Sequence, residues 1–410
     1  MKSLQNCQIM RIIPLLIAVC LVSIRAQAKY GGGSGTAEDP YQIATAADLI
    51  LLGESPGDYD KHFILTADIN LDPNLPGRKV FDKAIIAPDT NAVADYFQGT
   101  PFSGVFDGNG HTISHLTLKG GSHVALFGRN WPGTVTNLGV VDVNITGSSI
   151  VGGLVGQNYG DVTQCYSTGV VSGSERVGGL VGGNMGGVTD CYSTAAVSGT
   201  DNVGGLVGEN YGTVTECYGT GAVSGRGAVG GLVGYNHYAT VTQCYSAGAV
   251  SGQYDVGGLV GENHGAVTHC YGTGAVSGTG DSSQSVGGLV GSNMGALTHC
   301  YSTGAVSGFT YVGGFVGRNW QGTVTGCFWD TQTSGQATSA GGTAKTTTEM
   351  QTAATFLDAG WDFVDVWGIG ENQTYPYLRK YSAADINQDG SVNFLDLAVL
   401  ADNWLTGIAP

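Results

Sequence analysis

The stretch VGGLVGQNYGDVTQCYSTGVVSGSER, Val151 to Arg176, holds three short β-prone pieces, GLVG, DVTQCY and VVSG, separated by glycines and polar residues. The phrase starts again at Val177, Val203, Val229, Val256, Val286 and Val312, with spacings of 26, 26, 26, 27, 30 and 26 residues, and a looser copy begins near Val124. No piece is long enough to fold alone. The repeat therefore reads as one coil of a solenoid, whose coils pair strand to strand at about 4.8 Å and bury jointly what one copy cannot. The expected fold is all-β, a right-handed parallel β-helix with three strands per coil and short capping helices. A propeller blade needs about 40 residues and four strands, and collagen needs a three-residue glycine period, so neither fits. Extra length is expected between VSG and the next VGG, chiefly Thr279 to Ser285, at a corner facing solvent.

Outward from the repeats, the chain opens with Lys2 and Arg11, an apolar run from Ile12 to Ile24, and Ala26-Gln27-Ala28, the order of a secretory signal peptide cleaved after Ala28. That run is shorter than the roughly 20 residues a membrane span needs, so the mature chain is expected to be extracellular, secreted or cell-surface associated, with no transmembrane segment. Loss of the leader lowers the basic residues from 16 to 13 against 32 acids, a net charge of about −19. Such acidity argues against nucleic acid as a partner and favours calcium. Seventy glycines against 10 prolines suit many tight turns.

The expected organisation is a signal peptide over 1–28, an N-terminal cap and first coils over 29–123, the repeats over 124–330, a C-terminal cap over 331–382, and a separate module over 383–405. FSGVFDGNGHTISHLTL, Phe102 to Leu118, reads as a leading coil. Upstream, Thr45-Ala-Ala-Asp48 has the form of a capping box, starting a short helix that would cover the first open coil. Downstream, Thr346-Thr-Thr-Glu349 predicts a second capped helix, Glu349 to Ala359, stopped by Gly360. The aromatics Trp361, Phe363, Trp367, Tyr375 and Tyr377 would then cap the last coil, with a sugar platform as the other reading.

Equivalent positions of stacked coils form columns. Asn158, Asn184, Asn210, Asn236, Asn263, Asn293 and Asn319 are expected to bond amide to amide, a structural ladder rather than a ligand site. Cys165, Cys191, Cys217, Cys244, Cys270, Cys300 and Cys327 share one column and read as buried free thiols, since in-register side chains point the same way. The threonines of Thr163, Thr189 and Thr215 lack the second threonine row of an ice-binding face. Tyr166, Tyr192, Tyr218, Tyr245, Tyr271 and Tyr301, then Phe328, form an aromatic stripe that could bind carbohydrate or protein if exposed. Strict alternation cannot place Val162, Gln164 and Tyr166 on one side, so a bend within VTQCY is expected.

The repeats resemble the GLUG motif of bacterial surface and secreted proteins, a likeness covering residues 124–330. Near the end, Asp385, Asn387, Asp389, Asn393 and Asp396 stand at loop positions 1, 3, 5, 9 and 12, with Gly390 at the turn; their side chains and the Ser391 carbonyl would ligate calcium. An apolar helical pattern follows, from Leu395 to Trp404. Asp at position 12 with a helix on one side resembles a type I dockerin repeat, present here in one copy where dockerins carry two. The resemblance implies a C-terminal half EF-hand module and a cohesin-like protein or cell-surface polymer as its partner. Asp68-Ile-Asn-Leu-Asp72 lacks the turn glycine and reads as a strand.

Three functions follow. A surface attachment protein, with no catalytic residue and carbohydrate as one candidate ligand, fits best. A polysaccharide lyase would need clustered bases and cations, whereas residues 151–330 hold no lysine and only Arg176, Arg226 and Arg318. A hydrolase would need two carboxylates about 5–9.5 Å apart, for which Glu209 and Glu262, or a site at Asp107, His111 and His115, are the weak candidates. GLUG repeats also accompany immunoglobulin-A-cleaving zinc peptidases, but no HExxH occurs. A purely structural envelope component is the third reading.

Overall fold

A computed structural model describes residues 29–91, 96–279 and 284–381. These residues form an all-β parallel solenoid of about eleven turns, and its longest sheet has eleven strands from Tyr41–Ile43 to Thr323–Thr325. The pairings along the rod axis are parallel, and those of the repeats are in register, for example Val177 on Val203, Asn184 on Asn210, Val188 on Val214 and Tyr192 on Tyr218, with one shift between Val140 and Val143 where Gly139–Thr146 meets Tyr166–Ser172. The leading coil is present as Val105–Asp107, Thr112–Ser114 and Thr117–Lys119, and Val124 stacks under Val151. Ile69–Asn70 is a strand, as expected.

Each regular coil carries five strand pieces rather than three. In the copy at Val177 these are Glu175–Gly178, Val181–Asn184, Gly187–Thr189, Tyr192–Ser193 and Ala196–Ser198. One bend that divides them sits on non-glycine residues in the left-handed region: Gln164, Asp190, Glu216, Gln243, His269 and His299 all have φ of 51–57°. That residue reverses the alternation, so Val162 and Cys165 point inward and fully buried while Tyr166 points outward, half-buried. The conflict in VTQCY is thereby resolved.

The core is a set of continuous columns, Val151, Leu154, Val155, Val162, Cys165 and Val171 with their equivalents, buried along the rod until Val312 and Val324 in the last coil, which are partly buried. Its close packing explains the paired glycines. A Cβ on Gly231 would lie 2.1 Å from the carbonyl oxygen of Gly258 in the next coil, so the coils approach until no side chain fits between them.

At the N-terminal end the capping box of Thr45 and Asp48 starts the helix Ala46–Gly53, whose Leu49 and Leu52 are buried in the core. At the other end two corrections apply. The expected helix Glu349 to Ala359 is two shorter ones, Thr347–Met350 and Ala353–Leu357, the first with its capping box intact, and Gly360 has φ +83. The axial end is closed by Thr343–Lys345, paired on Phe328–Asp330, and by Thr338 and Ala340, which bond to Gly314 and Val316. Trp361 and Trp367 instead pack sideways against Tyr301 and Phe328. A ring cluster over an existing aromatic stripe buries more apolar area than one across a narrow coil end.

Gly231→Ala is expected to cost about 2 kcal/mol or more by overpacking, whereas Gly183→Ala, whose Cβ meets nothing within 4 Å, should be neutral. Denaturant melts of the two variants check the pair; equal stability would refute the close-approach account.

Candidate functional site

The calcium-loop residues Asp385, Asn387, Asp389, Ser391, Asn393 and Asp396, and the signal peptide, lie outside the described residues. What the described residues display is the corner of the coil held by the asparagine column. Asn130, Asn158, Asn184, Asn210, Asn236, Asn263 and Asn293 each donate Nδ2 to Oδ1 of the next asparagine at 2.8–2.9 Å, ending on Asn319. The ladder is thus one member longer than the repeat suggested. Each amide also ties down its own corner. In regular corners it bonds the carbonyl two residues on, as Asn158 to Gly160 and Asn184 to Gly186.

Three corners carry one more residue, and there the same amide reaches the carbonyl three residues on: Asn130 to Gly133 at 2.9 Å, Asn236 to Ala239 at 3.1 Å and Asn319 to Gly322 at 2.9 Å. The 27-residue spacing arises here, at Tyr238, and not between VSG and VGG as expected; the insertion at 279–285 does fall there. Each bulged corner carries an exposed ring, with Trp131, Tyr238 and Trp320 exposed by 53, 77 and 47%, and Tyr211 on a regular corner is exposed by 43%.

The columns beside the asparagines change residue type along the rod. One, in register, runs Arg129, Gln157, Gly183, Glu209, Tyr235, Glu262, Ser292 and Arg318. The residues just after the asparagines include Trp131, Tyr159, Tyr211, His237, His264 and Trp320. Glu209 is bridged by Arg176 at 2.7 Å and accepts from the Tyr211 hydroxyl, while Glu262 lies 2.7 Å from Nε2 of His264. Tyr235 packs on His237 and His264 at 5.3 and 5.2 Å. Burial first, then Glu262 and the neighbouring Tyr211, push the Tyr235 hydroxyl up to about 12. At the two ends guanidinium groups lie over rings: Arg318 on Trp320 at 3.5 Å and Tyr311 at 4.6 Å, Arg129 on Tyr159 at 4.6 Å and Trp131 at 5.6 Å.

Sequence reasoning passed over this face because it aligned copies on VGG, which hides a one-residue change further along. The signal was available in the distance from the column asparagine to the next strand, three residues in regular corners and four in the bulged ones.

The other candidates are placed as follows. Glu209 and Glu262 share a column with Tyr235 between them, two strand spacings or about 9.6 Å at the backbone. Asp107 caps a turn, accepting from the Asn109 amide and Asn137 Nδ2, while His111 faces Asp68 and His115 faces Asp142, so the three do not converge. The seven cysteines are free and buried, each donating its thiol to the threonine carbonyl two residues before it at 3.1–3.3 Å. Burial pushes the Cys191, Cys217 and Cys244 thiols well up. Among the described residues no group of His, Cys, Asp and Glu converges as a metal site. No helix there is long and apolar enough to cross a membrane.

The tyrosine stripe is a stack with ring centroids 4.8–5.0 Å apart and planes within 9°. Its C-terminal end is covered: Tyr301 donates to the Pro376 carbonyl at 2.6 Å, and Trp367 lies 6.1 Å from both Tyr271 and Tyr301. The covering segment runs back along the rod until Lys380 bridges Asp190, at 3.1 Å, and Glu216. That occupies part of the stripe as an internal surface.

Fold and columns together define the class: the chain is a parallel β-solenoid carrying GLUG motif repeats. The GLUG motif matches residues 147–172, 173–198, 225–251 and 282–307. Among curated proteins, halomucin of Haloquadratum walsbyi is 36% identical over 143 residues, 34% of this chain and 2% of that protein. A putative Gly-rich membrane protein of Evansella cellulosilytica is 43% identical over 74 residues, 17% of this chain and 8% of that protein. The chain thus spans a small fraction of the relatives it matches. Among solved structures, a putative immunoglobulin A1 protease from Bacteroides ovatus superposes with a TM-score of 0.47 at 20% identity, over 85% of this chain and 95% of that one. A structure named IgA1 Protease gives 0.40 at 15% identity, over 80% of this chain and 25% of that one.

Asp255, at φ +49, supplies a pH test of the face. Burial raises its carboxyl to about 6, with a Ser285 hydrogen bond and Arg318 opposing and Glu262 adding to the shift. A raised folded-state value favours folding with the proton bound, so this contribution is full below pH 4 and is lost as pH rises through 6. Asp255→Asn should therefore match wild type near pH 4 and be more stable by about 1–2 kcal/mol at pH 7.5. Melts across that range check it, and a pH-independent difference would refute the burial.

Proposed function

We propose that this chain is an exported, non-enzymatic attachment protein that presents the bulged asparagine face of a rigid rod to a ligand and is tethered through its C-terminal calcium repeat. The observation that carries the reading is the coincidence of three bulged corners with three exposed rings, Trp131, Tyr238 and Trp320. A repeat that served only to build the rod would gain nothing from breaking its period where large apolar side chains enter water.

Supporting it are the matched stretches in proteins named halomucin and a putative Gly-rich membrane protein, together with the signal-peptide-like order of residues 1–28. The acids of the face are each engaged, Glu209 by Arg176 and Glu262 by His264, which weakens the hydrolase alternative. In this reading Asp385, Asn387, Asp389, Asn393 and Asp396, with the Ser391 carbonyl, hold calcium. That loop docks on a cohesin-like protein or a wall polymer.

Calorimetric calcium titration of the mature chain and of an Asp385→Ala/Asp389→Ala variant tests the tether, each followed by a retention assay on cells of the source organism with and without chelator. Expected are calcium binding by wild type alone and calcium-dependent retention lost in the variant. Identical behaviour of the two chains would remove the tether and leave attachment to the rod face.

A further inference from the structure

We propose that the bulged face binds an extended acidic glycan, a chain of sugar rings bearing carboxylate or sulfate groups, laid parallel to the rod axis across the corners of Trp131, Tyr238 and Trp320. This deepens the attachment reading by naming the ligand class. Four observations converge on it.

The first is length. From the Asn130 corner to the Asn319 corner there are seven coil steps, about 34 Å at the strand spacing, with exposed rings at both ends and between them. A small ligand would leave most of that line empty, whereas an extended polymer meets all of it. One coil step is close to the advance of one sugar ring in an extended glycan, so ring stacking can recur in phase with the coils.

The second is backbone saturation. Amides and carbonyls along this face bond to the neighbouring coils, as Met185 to Asn158, Tyr211 to Asn184 and His237 to Asn210 at 2.7–2.8 Å. No strand edge is open there for a peptide to join by main-chain pairing. A glycan needs only ring faces and side-chain polar groups, and those are what the face offers.

The third is charge. Between residues 124 and 330 there is no lysine and there are four arginines, of which Arg129, Arg176 and Arg318 stand on this one face. The face also carries Glu209, paired with Arg176, and Glu262, in contact with His264, so its arginines without an ion pair among the described residues stand at the two ends. Arg129 and Arg318 lie over rings, beside the exposed tryptophans, so a sugar ring and its acidic group can be met together. Salt bridges among the described residues include neither of the two.

The fourth is an orphaned donor: Nε of Arg129 is buried and has no hydrogen-bond partner among the described residues. Such a group is costly unless something completes it. Phe97 also lies over that guanidinium, at 5.2 Å, and the proposed acidic substituent would enter beside Trp131.

The test is calorimetry on the full mature chain with three oligosaccharide series of two to twelve rings: oligogalacturonates, sulfated heparin fragments and neutral cello-oligosaccharides. Expected is binding by one acidic series, with affinity rising at least about tenfold from two rings to about eight and levelling beyond, and falling with added salt. Trp320→Ala and Arg318→Ala should each weaken the longer chains about tenfold, while Val364→Ala, far from the face and exposed, leaves binding unchanged. Melting curves establish that all variants are folded. The proposal is overturned if neither acidic series binds, if the neutral series binds equally well, or if affinity ignores chain length or the Trp320 and Arg318 variants. Calcium-dependent cell retention that persists without glycan binding would overturn this inference and leave the attachment reading standing.

Discussion

One amide relay, running from Asn130 through seven buried side chains to the half-buried Asn319, governs how far this solenoid can depart from its own period. From Asn158 to Asn293, each asparagine satisfies the asparagine before it and the carbonyl of its own corner at once, so removing one leaves at least two partners without a mate. What the relay permits matters as much as what it enforces. The amide accepts a corner of either length by shifting its bond from the second carbonyl to the third, as at Gly133, Ala239 and Gly322. An extra residue is therefore absorbed locally, and the coils above and below stay in register.

The core sets the complementary limit. Valine, leucine and cysteine columns stacked in register leave no slack along the axis, and glycines such as Gly231 have a neighbouring carbonyl where a side chain would begin. Variation is thus driven to the outside of the corners. The cysteines illustrate the point: seven thiols fill one buried column as small apolar groups, with Leu138 in the same place one coil earlier, and their bonds run to the local threonine carbonyls rather than to one another as disulfides.

The architecture was legible from the period alone, because spacings of 26 residues with in-phase valines admit few alternatives. The strand count was not, since the bend at Gln164 and Asp190 is made by ordinary polar residues in the left-handed region instead of glycines. The capping boxes at Thr45 and Thr346 were readable from four letters each. The length of the second helix was not: the first helix ends at Met350 and a fresh turn begins at Ala353, with no glycine or proline between to announce it. The aromatic-rich tail was assigned to a cap. It does close the molecule, but sideways, because Tyr301 and Phe328 already offered it an apolar surface.

Regularity and function are separable in such a rod. A column that keeps one residue type through every coil answers to the stacking, which is identical at each level; the asparagines, the core valines and the tyrosines behave this way. A column that changes from arginine to glutamate to tyrosine is free of that constraint, since the backbone beneath it does not change. The face that runs from Arg129 to Arg318 changes class at nearly every coil and also holds the three bulges. Its ends repeat the same Arg-Asn-Trp triplet, at Arg129-Asn130-Trp131 and Arg318-Asn319-Trp320, with unlike residues between. On the attachment reading, two like ends a fixed distance apart, on a support that cannot stretch, select a partner by its length as well as by its chemistry.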